Sequence, residues 1–182
     1  MPMLFLLKKC YNYISKGVRD LLKIGDVVVY GAQGICKIDS FDTKVIGKTN
    51  VEYYVLKPIF NENTAVFVPV ENANLTAKMQ SVLTKSQANE LIGKIDDIDI
   101  IKTASENQKR EQYKAILSSN DRKELISLIK TIRFERDTRR QNGKKLNISD
   151  EQTLRKAEIL LYNELAFVYG AAPEEVKNII NF

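Results

Sequence analysis

Residues 24–69 read IGDVVVYGAQGICKIDSFDTKVIGKTNVEYYVLKPIFNENTAVFVP, a stretch in which four short apolar runs are separated by glycine-containing or polar turns. β-Branched and aromatic residues dominate the runs, which is typical of strands, and Gly31 and Gly34 bracket a tight turn. Pro69 ends the last run, because proline cannot donate a hydrogen bond to a neighbouring strand. Four strands in so short a segment predict a small, strongly bent barrel.

The second half of the chain has helical periodicity. Leu125, Leu128, Ile129 and Ile132 fall within a stripe about 100° wide, as a core-facing helix requires. The cluster at residues 118–121 (SSND) predicts the start of that helix. For the following helix, the sequence predicts a capping box of Ser149 with Gln152, an end at Gly170, and a further helix that begins near Pro173. A compact helical bundle is therefore expected.

Together these patterns predict an α+β protein, in which a small β-barrel precedes an all-α helical bundle. We place an N-terminal extension at residues 1–22, the barrel at 23–83 and the helical domain at 84–182. Residues 72–84 are interpreted as a linker, followed by a short helix at 86–94. The extension carries a weak amphipathic stripe, and we expect a helix that leans on the barrel or frays. The alternatives are a membrane contact and a later translation start at Leu21 or Leu22.

Composition argues against an enzyme. The chain has no histidine and two cysteines, Cys10 and Cys36, which are expected to be reduced thiols and are too few for a structural zinc site. The acidic run at 96–99 (DDID) is interpreted as a solvated helix end rather than a magnesium site, since no phosphate-binding glycine loop accompanies it. We therefore expect no catalytic residues, cofactor, metal or small-molecule substrate. With no long apolar run or secretory signal, we expect a cytoplasmic location without membrane contact.

Charge is distributed unevenly along the chain. Residues 23–83 hold six basic and six acidic residues, whereas residues 102–145 hold thirteen basic and six acidic residues. A neutral barrel next to a basic helical segment indicates a protein partner for the barrel and a polyanion for the helices.

Several of these segments resemble one family of proteins. Residues 25–30 (GDVVVY), 53–56 (YYVL) and 68–73 (VPVENA), with Gly34 and Ile38 between them, closely resemble the N-terminal domain of the CarD and CdnL bacterial transcription regulators. The resemblance extends over approximately residues 23–170 and is strongest in the barrel. It implies a Tudor-like barrel that binds the RNA polymerase β subunit, as also found in transcription-repair coupling factor, and a helical domain that binds promoter DNA.

The resemblance also implies polymerase-binding residues. Lys44 falls where the family carries an arginine, and a second family arginine corresponds to Phe67, so that an aromatic contact would replace an ion pair. We expect binding by strand addition, which uses main-chain hydrogen bonds, and predict polymerase contacts by Lys44, Val66, Phe67 and Val68.

In the helical domain the family carries a basic pair and a tryptophan before a Ser-Gly-Asp turn, which here is residues 119–121 (SND). The basic pair falls on Lys109 and Arg110, and the tryptophan would fall within residues 106–108 (ENQ), but the chain contains no tryptophan. We predict DNA-backbone contacts by Lys109, Arg110, Lys114 and Arg122, largely independent of sequence. The expected function is a non-enzymatic regulator that modulates open-complex stability. The alternative is a polymerase-binding adaptor whose bundle recruits another protein.

Overall fold

The computed structural model describes residues 22–61, 63–102 and 105–180, apart from the side chain of Ile179. The helix predicted at the N-terminus lies outside these residues. The chain divides into two compact units. Of the described residues, the first unit contains residues 22–28 together with those of Cys36–Gln80, and the second contains Val29–Ile35 together with those from Ser81 onward.

A five-stranded antiparallel sheet occupies the N-terminal part of the described chain. Its strands are β1 (Val27–Tyr30), β2 (Ile35–Ile46), β3 (Thr49–Pro58), β4 (Val66–Pro69) and β5 (Met79–Ser81). The spatial order is β4-β3-β2-β1-β5, so β4 and β5 are the outer strands. With helices following this sheet, the α+β fold class is confirmed. The predicted barrel is not closed, because no pairing joins the two outer strands among the described residues.

Strands β2 and β3 form a long antiparallel hairpin around Gly47. A bulge between Ile38 and Ser40 shifts the register, after which Phe41 pairs with Tyr54 and Lys44 with Val51. The half of the hairpin near the bulge is buried, whereas its outer half is exposed. In the first unit the core holds the large buried side chains of Ile38, Tyr54 and Leu56.

The predicted linker at residues 72–84 has regular structure. Asn72 caps a helical turn, α1 (Ala73–Thr76), by accepting a hydrogen bond from the backbone N–H of Leu75, and β5 follows. The linker interpretation was therefore wrong. Three residues, Met79, Gln80 and Ser81, are too few to produce an alternating pattern that sequence reasoning could detect.

The second unit is built from helices. They are α2 (Lys85–Gly93), α3 (Glu106–Ser119), α4 (Arg122–Gln141), α5 (Ile148–Tyr169) and α6 (Pro173–Ile179). The side chain of Asp121 accepts hydrogen bonds from the N–H groups of Lys123 and Glu124, which confirms the predicted cap. Helix α5 begins earlier than predicted, because Asn147 rather than Ser149 is its N-cap. Gly170 ends α5 in the left-handed conformation, as predicted.

The apolar stripe predicted for α4 lies in the core of the second unit. Leu125, Leu128, Ile129 and Ile132 are all at most 1% exposed and pack with apolar residues of α5 such as Leu161. None of the helices in the described part of the chain is long and apolar enough to cross a membrane.

Only Asn120 and Asp121 lie between α3 and α4. Asn120 has a φ of 53°, is fully buried, and has no hydrogen-bond partner for either atom of its side-chain amide. Gly31, in the 3-10 turn Gly31–Gln33, also belongs to this unit and lies close by. A Cβ atom on Gly31 would be only 3.0 Å from the Ser118 carbonyl oxygen. Glycine at this position is therefore required by space as well as by its φ of 44°.

Candidate functional site

Three predicted polymerase-binding residues lie on β4. Within the described chain β4 has β3 as its only neighbour in the sheet, so its outer edge is open to another strand. Phe67 is 42% exposed and Val66 is half-buried, whereas Val68 is fully buried in the core. Val68 can therefore reach a partner only through its main chain, while Phe67 presents its ring.

Lys44 lies on β2, and its side chain reaches across β3 to Phe67 on β4. Its Nζ lies 3.5 Å from the centroid of the Phe67 ring and 5.9 Å from that of Tyr53. The Tyr53 and Phe67 rings meet edge to face with their centroids 6.3 Å apart. Strand register explains the arrangement, because Lys44, Tyr53 and Phe67 project from the same face of β2, β3 and β4.

We refer to Lys44, Tyr53 and Phe67 as the aromatic–lysine cluster. Lys44 remains about half exposed, and Asp42 approaches it at 4.0 Å, too far for a strong pair. The cluster therefore offers a partner two aromatic rings and a cation beside a free strand edge. Sequence reasoning missed Tyr53, although its alternation with Val55 on β3 could have indicated that both face the same side.

Lys109 occupies a different environment from the one predicted. The residue is 4% exposed, and its ammonium donates to Glu135 at 2.7 Å and to Asp150 at 3.0 Å. Its Nζ also lies 5.5 Å from the centroid of the Tyr113 ring. Burial alone would lower the pKa of Lys109, but the hydrogen bonds to the two carboxylates outweigh it, and the pKa is raised above its usual range.

This ion triad ties α3, α4 and α5 together. Because both carboxylates neutralise the Lys109 ammonium inside the bundle, its charge is not presented to a phosphate. The prediction of a DNA contact by Lys109 does not fit this placement. Burial also raises the pKa of the Tyr113 hydroxyl to about 12.

Arg122 is also held inside the second unit. Its guanidinium donates to both carboxylate oxygens of Glu164, at 3.0 and 2.8 Å, and to the Ser81 carbonyl at 2.9 Å. Glu164 is 1% exposed and accepts a further hydrogen bond from the Leu83 N–H. Such a bidentate pair fixes the chain after β5 to α5. A DNA contact by Arg122 would have to break it.

Arg110 and Lys114 lie on the outer face of α3. Both residues are exposed, and no ion pair joins either one to a carboxylate of the described chain. They are four positions apart, so their side chains are neighbours on one helix face. Of the four predicted DNA-binding residues, the fold presents these two together, whereas Lys109 and Arg122 form ion pairs that are buried or partly buried.

The acidic run at residues 96–99 does not form a metal centre in the described chain, where no group of three potential ligands converges. Instead the Lys130 ammonium donates to the carbonyl oxygens of Ile95 and Ile98, at 2.9 and 2.6 Å. This segment is therefore anchored on α4 through its backbone.

Residues 22–83 match the family model described as CarD-like/TRCF RID domain. The matched segment contains all five strands and the aromatic–lysine cluster, whereas helices α2 to α6 lie beyond it. No curated protein matches the chain.

Proposed function

We propose that this protein, whose residues 22–83 form a CarD-like RNA polymerase-interacting domain, binds the polymerase β subunit through its β4 edge and regulates transcription without catalysing a reaction. The observation that carries the proposal is the open β4 edge beside the aromatic–lysine cluster, inside the segment that matches the domain. An extended segment of the β subunit would add to β4 by main-chain hydrogen bonds, and the cluster would recognise its side chains.

The helical unit would contact promoter DNA in the same complex. Arg110 and Lys114 support this part, because they are exposed on one helix face and pair with none of the carboxylates in the described part of the chain. Contacts of this kind bind phosphate and carry no base information. If they are stronger in the open promoter complex than in the closed one, binding shifts that equilibrium, by about 1.4 kcal/mol per tenfold difference in affinity.

A second candidate function is a polymerase-bound adaptor whose helices recruit another protein. The absence of tryptophan from the chain favours it, because the resemblance implies that family members insert the ring of a tryptophan into promoter DNA. A groove of about 610 Å³ in the second unit would be the corresponding docking place, with Leu83, Leu91 and Ile98 among its lining residues.

The primary test is binding of the full chain to purified β subunit and to whole polymerase. Lys44→Glu should weaken both interactions, because it reverses the charge beside Phe67. Lys78→Glu is the matched control, since Lys78 is exposed next to β5 at the opposite edge of the sheet. Equal binding by wild type and both variants would reject the aromatic–lysine cluster as part of the contact surface.

A further inference from the structure

The C-terminal end of α4 carries the densest positive charge of the described chain. Residues 136–145 read RDTRRQNGKK, with five basic residues against one acidic residue. No apolar side chain occurs in this stretch. We call Arg139, Arg140, Lys144 and Lys145 the basic end.

The basic end lies beyond the core of the second unit. Lys109 bonds to Glu135 of α4 and to Asp150 in the first turn of α5, which places Glu135 level with the start of α5. The residues of α4 that follow Glu135 extend past that level. The apolar stripe of α4 ends at Ile132. Beyond it, the same helix face carries Arg136, Arg139 and Arg140. The buried face of α4 thus becomes a row of arginines where the core stops.

The backbone that carries these residues is well fixed. The Gly143 N–H donates to the Arg140 carbonyl at 3.0 Å, and the Lys144 N–H donates to the Arg139 carbonyl at 2.8 Å. With Gly143 at a φ of 68°, this is a Schellman motif, which closes the helix with two hydrogen bonds. Lys144 is therefore held beside the last turn of α4 and does not depend on a flexible loop for its position.

The charges of the basic end are not neutralised within the described chain. Arg140, Lys144 and Lys145 are exposed, and none of the four residues forms an ion pair with a described carboxylate. The nearby Asp137 instead approaches Arg136, at 3.6 Å. Some of this charge stabilises the C-terminus of α4 through the helix dipole, but Lys144 and Lys145 lie beyond the helix.

We infer that the basic end is a second phosphate-binding surface, which takes the backbone of duplex DNA separately from Arg110 and Lys114 on α3. Residues 136–145 supply the basic and polar donors that phosphate contacts need, and they contain none of the apolar or aromatic side chains that commonly anchor a protein interface. The inference rests on the proposed DNA-binding function of the helical unit, to which it adds a second point of contact.

The test measures the affinity of the full chain for a fluorescent DNA duplex across a salt series. The triple variant Arg140→Gln, Lys144→Gln and Lys145→Gln removes three exposed charges. The slope of log K against log salt should become less steep by up to about 3, because each lost phosphate contact removes about 0.9 from the slope. The control variant Arg155→Gln, Lys156→Gln and Lys177→Gln removes the same charge from exposed positions on α5 and α6 and should change the slope little.

Each alternative outcome is distinguishable. If the triple variant melts like wild type and has the same slope as the control variant, the basic end does not bind DNA. If it loses polymerase binding while its DNA affinity is unchanged, the surface takes a protein and the inference fails. The variant Arg110→Gln and Lys114→Gln separates the two proposals. If the wild-type protein has no DNA affinity, the DNA-binding function itself is rejected. If only the α3 variant binds DNA more weakly and the triple variant binds normally, only the second surface is rejected.

Discussion

The Lys44 ammonium lies over the ring of Phe67, 3.5 Å from its centroid, across the three strands β2, β3 and β4. The family resemblance implies an arginine at each of these two positions. Here a cation and an aromatic ring stack on each other, an arrangement that contributes about 0.5–1 kcal/mol at an exposed site. Although Phe67 replaces an arginine, this surface therefore still carries a positive charge, because the ring holds the Lys44 ammonium in place.

The first prediction concerns this pair and its binding to polymerase. Lys44→Ala and Phe67→Ala should each weaken binding, and the double variant should lose less than the sum of the two, because each side chain orders the other. We expect a coupling free energy of about 0.5–1 kcal/mol from a double-mutant cycle. Strictly additive losses would mean that the two side chains act independently, and Lys78→Ala serves as the neutral control.

The second prediction addresses the missing tryptophan. Glu106, Asn107 and Gln108 are exposed on the first turn of α3, so a tryptophan can be placed there without disturbing the core. Stacking of one ring on a base contributes about 1–3 kcal/mol, and at least one of the three variants should therefore lengthen the lifetime of the open promoter complex.

The control is Ala115→Trp, at an exposed position further along the same helix. If no tryptophan variant lengthens the lifetime, and if Arg110→Gln with Lys114→Gln does not shorten it, the helical unit does not act on promoter DNA. The adaptor function would then be preferred.

The third prediction separates Lys109 from its neighbour. Lys109→Ala leaves the buried Asp150 and the partly exposed Glu135 without their cation and should lower the free energy of unfolding by about 3 kcal/mol. Arg110→Ala should change it by less than about 0.5 kcal/mol, because Arg110 is exposed. Chemical denaturation of both variants provides the measurement, and similar losses would show that the triad does not stabilise the fold.

The fourth prediction concerns the left-handed residue between α3 and α4. Asn120→Gly and Asn120→Ala both remove the buried amide that has no partner, but only glycine adopts a positive φ without strain. The glycine variant should therefore be more stable than the alanine variant by about 1 kcal/mol. Thermal melts decide the order, and an alanine variant at least as stable would contradict the assigned backbone conformation.

The fifth prediction is the pH dependence of stability. Burial raises the pKa of the Cys36 thiol to about 12 in the folded protein, whereas an unfolded thiol ionises near 8.5. The stability that the buried neutral thiol contributes is thus fully present below about pH 8.5. As the pH rises further, the free energy of unfolding falls by about 1.4 kcal/mol per pH unit. Tyr113, with its pKa also raised to about 12, adds a loss of the same sign above about pH 10.

Cys36→Ala should show a shallower decline in unfolding free energy between pH 9 and about 11 than wild type, whatever its stability at neutral pH. Between about pH 6 and 8 the stability of both proteins should be nearly constant, because the chain has no histidine. Parallel curves for the two proteins at alkaline pH would show that the thiol ionises equally in the folded and unfolded states.

The sequence predicted the local features well. Alternating and β-branched runs revealed β1 to β4, and single residues such as Asp121 and Gly170 marked helix ends, because strand pattern and capping depend on near neighbours. The strand β5 was missed because it is too short to show a pattern. Its absence from the prediction did not affect the identification of β4 as the candidate contact strand.

The candidate DNA site was harder to predict for a physical reason. A lysine on an amphipathic helix has the same local sequence whether it faces solvent or a buried carboxylate. The partners of Lys109 lie 26 and 41 residues further along the chain, and that of Arg122 lies 42 residues further. Only the packing of α3, α4 and α5 decides which basic residues remain available to a ligand.

The segment Val29–Ile35 also bears on how the chain is synthesised. It belongs to the same unit as Ser81 and the helices that follow, yet the ribosome makes it first. Gly31 cannot reach its place beside Ser118 until α3 has been translated, so this part of the unit depends on contacts between residues far apart in sequence, which form slowly. During translation the nascent chain therefore exposes this turn until most of the protein has been made.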